Sequence, residues 1–310
     1  MSDMDVLFVV SGNRKIETIA PFIQVQIDSL SEMGVNVSLF RVVGGGIRGY
    51  WLNLWKLRER IRQNEIKIIH AHYALCGYLA WLASIGTSCK VVVSLMGNDM
   101  KYTLLNHFCA DKLWARTIVK SHEMAQRLHI DDVVILPNGV DIQKMIILDK
   151  GEAKSICGFR NDRKYIIWCS QIDREEKNFD LAQQAVRALN DDSVELVPLQ
   201  DIKHKDMNVY MCAADVLLLS SKREGSPNVV KEAMACNLPV VSTNVGDVAW
   251  LSKGVEGMYI ANNQTANDLC LCLRRALQFG GRTNGREQLI SLGLTSQIVA
   301  KKLYSIYECL

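Results

Sequence analysis

Val216-Leu217-Leu218-Leu219 is apolar at every position, too short for an ordinary helix, and shows no alternation of polar and apolar residues. Such a run is a strand covered on both faces, which belongs to a parallel sheet with helices above and below it. A polar turn bearing Gly and Pro, Ser220–Pro227, comes next, and then the Ala/Met/Glu-rich segment Asn228–Ala235. Pro227 suits the first turn of a helix, where its missing N–H costs nothing. The stretch therefore predicts a strand, a tight loop and a helix N-terminus at the C-terminal edge of a sheet. First-turn amides, those of Asn228 and Val229, favour an anion such as phosphate, and the helix dipole adds to this. Glu224 before the helix and Glu232 about one turn inside it flank that position. Carboxylates there are poorly placed for phosphate and well placed to accept hydroxyl protons, so a phosphate-linked polyol, a sugar and a ribose, is the expected ligand.

The same rhythm runs through the chain. Strands are expected at Asp5–Val10, Asn36–Val43, Lys67–His70, Lys90–Leu95, Thr117–Lys120 and Val133–Leu136. Between them lie a loop Ser11–Lys15, a helix from about Thr18 to Met33 stopped by Gly34, and a helix Trp51–Asn64. Pro137-Asn138-Gly139-Val140-Asp141 then punctuates a turn, and the pattern restarts at strand Tyr165–Cys169. Helix Phe179–Leu189, strand Ser193–Pro198, helix Met207–Ala213, strand Val216–Ser220, strand Pro239–Ser242 and helix Thr265–Phe279 follow, with a turn at Gly280-Gly281. Repeated βαβ units predict an α/β chain of two Rossmann-like doubly wound domains, 1–145 and 146–295.

Composition narrows the function classes. A net charge of +3 over 310 residues, with the excess in the first half, gives no case for nucleic acid as a partner. Ten cysteines without a Cys-x-x-Cys pair fit buried thiols in a reducing cytosol. Neither a leader nor an apolar run of membrane-spanning length is read, so the expected location is cytoplasmic, soluble or peripheral at an inner membrane face.

Glu224-x7-Glu232, set in EGSPNVVKEAMACNLPVVSTNVGDV, resembles the signature of glycosyltransferase family four. The resemblance implies the GT-B fold, two Rossmann-like domains facing a cleft, with a final helix at 296–310 crossing back to the first domain. It also implies a nucleoside-diphosphate sugar as donor, transfer with retention, and no metal or cofactor. Glu224 would contact the donor sugar and Glu232 the ribose, with Ser226, Asn228 and Val229 around the phosphates. Ser170–Phe179 resembles the family's diphosphate loop: Lys177 matches its Lys, Gln171 stands where Arg is common, and Arg174 is a solvated neighbour. Met96-Gly97-Asn98-Asp99 resembles the family's His-Gly-x-Asp turn, with Met96 in place of His. Gly12, His72, Asn98 and Asp99 are the acceptor-side candidates. The acceptor implied is a saccharide, lipid-linked, in surface polysaccharide assembly.

Other motifs have plainer readings. Gly97–Asp99 also fits a glycine turn with a helix cap. His70 and His72 share a face of an extended chain, but a metal would need a third ligand and none is evident. Asp3-Met4-Asp5 precedes the first strand and does not suggest a metal-dependent transferase. Gly44–Gly49 fits G-x-G-x-x-G but follows the second strand, and reads as a flexible loop lining the cleft. Arg48–Arg62 interleaves Tyr50, Trp51 and Trp55 with five basic residues. That pattern suits either an anionic membrane surface or a sheet-packing helix. Ser121-His122 reads as a helix start, and Gly246-Asp247 as a closing loop against the donor. Three rivals remain: a sugar-nucleotide epimerase of the same fold, a catalytically silent partner subunit, and a nicotinamide dehydrogenase.

Overall fold

The computed structural model describes residues 4–12, 19–44 and 46–310, without the side chains of Ile47, Asn98 and Lys101. Asp3 of the Asp-x-Asp pair, Asn13–Lys15 of the first loop, Thr18 and Gly45 therefore lie outside the described residues. The chain forms two compact units, Met1–Gly139 with Ser296–Leu310, and Val140–Thr295.

In the first unit the order is β1 (Met4–Ser11), α1 (Pro21–Ser31), β2 (Val35–Val42), α2 (Gly46–Gln63), β3 (Ile68–His72) and α3 (Ala74–Ser84). Next come β4 (Lys90–Ser94), α4 (Thr103–Lys112), β5 (Arg116–Val119), α5 (His122–Leu128) and β6 (Val133–Ile135). All pairings are parallel, in the order β2-β1-β3-β4-β5-β6. Alternate residues of β1 serve opposite faces, as the strand's period of two requires. Leu7 and Val9 pack with Leu57, Leu79 and Leu128 on one side. Val6, Phe8 and Val10 pack with Ile23 and Leu30 on the other.

The second unit runs α6 (Lys150–Cys157), β7 (Lys164–Cys169), α7 (Phe179–Arg187), β8 (Val194–Leu199), α8 (Met207–Ala213) and β9 (Val216–Leu219). It continues with α9 (Asn228–Ala235), β10 (Val240–Thr243), α10 (Val248–Leu251), β11 (Met258–Ala261), α11 (Ala266–Phe279) and α12 (Gly285–Ser291). Its parallel sheet has the order β11-β10-β9-β7-β8. Leu217 and Leu219 face the core with α8, α9 and α12, whereas Val216 and Leu218 face α7 and α11. The last helix, α13 (Ser296–Glu308), returns to the first unit, where Val299, Leu303 and Tyr307 pack on the β1 face opposite α2.

Several elements depart from the expected boundaries for identifiable reasons. α1 begins at Pro21, a residue pre-set for a helix's first position, rather than near Thr18. α2 begins at Gly46, so the last four residues of Gly44–Gly49 are helical turn and not loop. Gly49 is required there, since a Cβ would sit 2.5 Å from the Gly44 carbonyl carbon. Asn53 secures this start by donating to the carbonyls of Val43 at 2.8 Å and Gly49 at 2.6 Å. Pro227 is the N-cap of α9, one residue outside the first turn. Ser121 does start a helix, its Oγ accepting from the Met124 amide at 3.3 Å.

Candidate active site

Three adjacent parallel strands, β10, β9 and β7, deliver their C-terminal loops side by side, at the edge where α/β sheets place ligands. The loop after β7 ends in a short turn, Glu175–Lys177, and Asn178 takes φ 55° to redirect the chain into α7. Ser220, at the end of β9, is buried and fixes that turn. Its Oγ lies 2.9 Å from the carbonyls of Lys177 and Asn178, and accepts from the Trp168 indole at 2.9 Å.

So held, Lys177 meets Glu224: Nζ stands 2.5 Å from Oε1, and Ser221 Oγ donates to the same oxygen at 2.7 Å. Both side chains are largely sheltered, 18% and 14% exposed. The β10 loop supports this arrangement from behind. Thr243 Oγ1 donates to the Ser221 carbonyl at 2.7 Å. Gly246 has φ 57°, and a Cβ there would come within 2.6 Å of the Gly225 carbonyl oxygen. Only glycine lets the two loops approach so closely.

α9 opens directly off the loop, with the amides of Asn228 and Val229 in its first turn. Val230, Ala233 and Met234 bury its inner face, and Lys231 lies fully buried among them. Lys231 Nζ donates to Ser226 Oγ at 3.0 Å. Burial holds the ammonium down to about 8, against the opposing pull of Asp247 and Glu232. Asp247 is itself pushed up by burial, against the pull of Lys231 and Ser226. A cation thus sits beneath the turn that carries Ser226. Glu232, 15% exposed, places Oε1 2.9 Å from His204 Nε2. That bond raises the imidazole's pKa in spite of its partial desolvation.

The remaining loop residues are turned elsewhere. Gln171 donates to Asp201 Oδ1 at 2.8 Å, toward the β8 loop. Arg174 pairs with Glu176 on the surface and not with the Lys177–Glu224 pair.

The first unit gathers the other candidates at its own C-terminal sheet edge. Gly12 closes β1, its amide donating to the Val42 carbonyl at 2.8 Å, and a Cβ there would meet Val43 Cγ2 at 2.9 Å. Asp99 is buried and commits its carboxylate to backbone: Oδ1 accepts from Met96 and Gly97 at 3.0 and 2.9 Å, Oδ2 from Ala74 at 3.1 Å. It thereby ties the β4 turn to the start of α3, with Gly97 at φ 113°. Asn98 opens that turn, and its side chain is outside the described set. His72 is fully buried, stacked on His70 at 4.4 Å, with Nε2 2.9 Å from Gln26 Oε1.

Two family descriptions match the chain in succession: "Glycosyltransferase Family 4" over residues 21–144 and "Glycosyl transferases group 1" over residues 177–278. The chain belongs to the family 4, group 1 glycosyltransferases. A protein named for a glycosyltransferase role in teichuronic acid biosynthesis, TuaC of Bacillus subtilis (strain 168), is 27% identical over 59% of this chain and 54% of its own length. The N-acetyl-alpha-D-glucosaminyl L-malate synthase of Bacillus anthracis is 25% identical over 62% of this chain and 60% of its own length. The matches thus span little more than half of those two relatives. Among solved structures, sucrose-phosphate synthase from Thermosynechococcus elongatus superposes with a TM-score of 0.82 at 15% identity, covering 98% of both chains. Anabaena HepE in complex with UDP gives 0.75 at 14% identity, covering 99% of this chain and all of that one. The fold is GT-B.

Within the second unit, Lys177, Ser226, Glu224 and the start of α9 come together in one loop cluster, with Glu232 on the same helix. Sequence reasoning had not singled out Ser220, Ser221, Thr243, Lys231 or His204. The Ser-Ser pair closing the β9 run was the available signal for the first two. His204 carried none, because only the tertiary fold brings the β8 loop to α9.

Proposed function

We propose that the chain is a retaining, metal-independent glycosyltransferase. It moves a hexose-type sugar from a nucleoside-diphosphate sugar to a saccharide acceptor, lipid-linked, in surface polysaccharide assembly. One observation carries the reading: Lys177 and Glu224 meet at 2.5 Å beside the first turn of α9. A cation and helix amides there suit a departing diphosphate, whose charge grows as the bond to the sugar breaks. Glu224 orients the sugar, and Glu232 and the residues around it receive the ribose. The anomeric C–O bond breaks with its electron pair going to the diphosphate, and the acceptor oxygen forms its bond on the same face as its proton passes to an oxygen of that departing diphosphate. TuaC's name and the UDP held by HepE favour this donor and pathway class. Gly12, His72, Asn98 and Asp99 belong to the acceptor side, the buried His72 and Asp99 by supporting it from within, Asp99 by shaping the turn.

Glu232→Ala tests the donor site most directly. A hydrogen bond to a charged group contributes about 1.5–3 kcal/mol, so affinity for a nucleoside-diphosphate sugar should fall roughly ten- to hundredfold. Calorimetric titration measures it, and an unchanged affinity would remove Glu232 from the ribose. Wild-type binding without turnover on any acceptor would point to the silent-subunit reading, and turnover of donor alone to an epimerase.

The acceptor's lipid implies a membrane surface, and α2 offers one. Trp51, Leu52 and Trp55 are 60%, 64% and 61% exposed, and Arg48, Lys56, Arg60 and Arg62 are exposed along the same helix. Apolar rings among cations suit the boundary of an anionic bilayer, each cation contributing about 1 kcal/mol. Among the described residues no helix is long and apolar enough to cross a membrane. Sedimentation with phosphatidylglycerol-containing vesicles should therefore capture the protein. Lys56→Gln and Arg60→Gln should each weaken capture about fivefold. Equal capture by purely zwitterionic vesicles would count against the surface.

A further inference from the structure

The Glu232–His204 contact joins α9 to the turn between β8 and α8 in the second unit. Glu232 Oε1 is the oxygen engaged, at 2.9 Å from His204 Nε2, and the imidazole is part-exposed, 36%, while the carboxylate is 15% exposed. A carboxylate has about four lone-pair sites, so one imidazole N–H fixes its orientation and leaves Oε2 free for other donors.

Resting on the donor-site reading above, we infer that His204 is a positioning residue for the nucleotide. It holds Glu232 by one oxygen, presents the other to the ribose hydroxyls of a nucleoside-diphosphate sugar, and through its own charge sets how tightly that anion is bound. His204 contacts the nucleotide through Glu232 and through its field, and takes no part in bond breaking.

The groups around the pair set the sign. Facing His204 are Glu232 from α9, which raises its pKa, and Lys144 from the segment ahead of α6, which lowers it less. Lys203, Lys205 and Asp206 flank it on its own turn, and α8 follows with Tyr210 and Cys212. Around Glu232 stand Lys231 and Cys236 on α9 and Cys169 at the end of β7, whose thiol is pushed up by burial and by Glu232. A bound diphosphate adds negative charge to this neighbourhood and raises the imidazole further, so binding takes up a proton. By linkage, affinity is greatest with His204 protonated and falls as pH rises through its pKa.

The test uses the whole protein with uridine, adenosine and guanosine diphosphate glucose, whose bridged diphosphates do not titrate near neutrality. Titration calorimetry between about pH 6 and pH 9, the range in which a raised histidine loses its proton, reads the affinity. Wild-type affinity should fall roughly tenfold across that window, the equivalent of one further pKa unit gained on binding. His204→Gln keeps a donor for Glu232 but not the charge, and should bind with a clearly shallower pH dependence than wild type, what remains coming from Lys231, which burial holds down to about 8. In the free protein, the imidazole resonance of His204 should titrate above 6.5, and Glu232→Gln should lower it. An equal pH slope in wild type and His204→Gln would overturn the inference, as would an ordinary His204 titration unmoved by Glu232→Gln. Failure of all three nucleotides to bind at any pH would instead defeat the donor-site reading, and the inference with it.

Discussion

Glu224→Ala should abolish detectable sugar transfer, a loss of about a thousandfold or more, in a protein that stays folded. The carboxylate takes both the Lys177 ammonium and the Ser221 hydroxyl on one oxygen, so its position is fixed before any substrate arrives. Losing one preorganised polar group at a reacting centre costs roughly 10²–10³-fold in turnover. Misplacement of Lys177, freed from its partner, adds to that loss. The loop itself should survive, because it hangs on other bonds: Ser220 to the Lys177 turn, Thr243 to Ser221, and Lys231 to Ser226. Donor affinity should change far less than turnover, since an unpaired Lys177 still attracts diphosphate. A reduced turnover with retained binding marks an interaction made chiefly in the transition state. Initial rates with labelled donor and acceptor, beside a melting curve, decide the matter. Wild-type turnover in a folded variant would end the assignment of Glu224.

The strand-loop-helix at Val216–Ala235 was legible because its pattern is local: an unbroken apolar run, a Gly-Pro turn and two acids at fixed spacing. Elements that depend on distant partners were not. α6 is a mostly polar helix whose start rests on Asp149, which accepts from the Gly151 and Glu152 amides at 2.8 and 3.0 Å. Asp149 and the left-handed Gly158 were available cap signals, but no strong apolar stripe lay between them. β11 is a four-residue edge strand, half-covered at its centre, too short to declare itself. Lys231 shows the opposite failure. A lysine reads as surface, yet helical spacing puts it one turn before Met234 on the buried face of α9. Ser226, Asp247 and Glu232 help to make that burial tolerable. His70 and His72 were rightly placed on one face, but their sequence gave no hint of what they touch. That contact set comes from α1, β4 and α13.

Those two histidines make the first unit sensitive to acid. His70 sits with Nδ1 2.6 Å from the Tyr307 hydroxyl of α13 and Nε2 2.9 Å from Ser94 Oγ, while His72 reaches Gln26 of α1. Burial lowers both, with Lys120 adding to each and His72 also to His70; His72 falls to about 3 and His70 well below its ordinary value. Both are therefore neutral in the folded unit. Unfolded, each takes a proton near pH 6.5, so below that point the unfolded chain holds two more protons. Stability is complete above about pH 6.5 and is lost as pH falls toward the folded values, at about 1.4 kcal/mol per pH unit for each ring. Two rings remove roughly 3 kcal/mol per unit, and a domain has only about 5–15 kcal/mol in all. The first unit should therefore melt or unfold at far lower denaturant at pH 5 than at pH 7, before ordinary carboxylates begin to titrate. His72→Gln should halve the slope, because one of the two protons is gone. Imidazole resonances of the native protein give an independent reading, and a His72 ring that titrates near 6.5 in the folded state would refute the linkage outright.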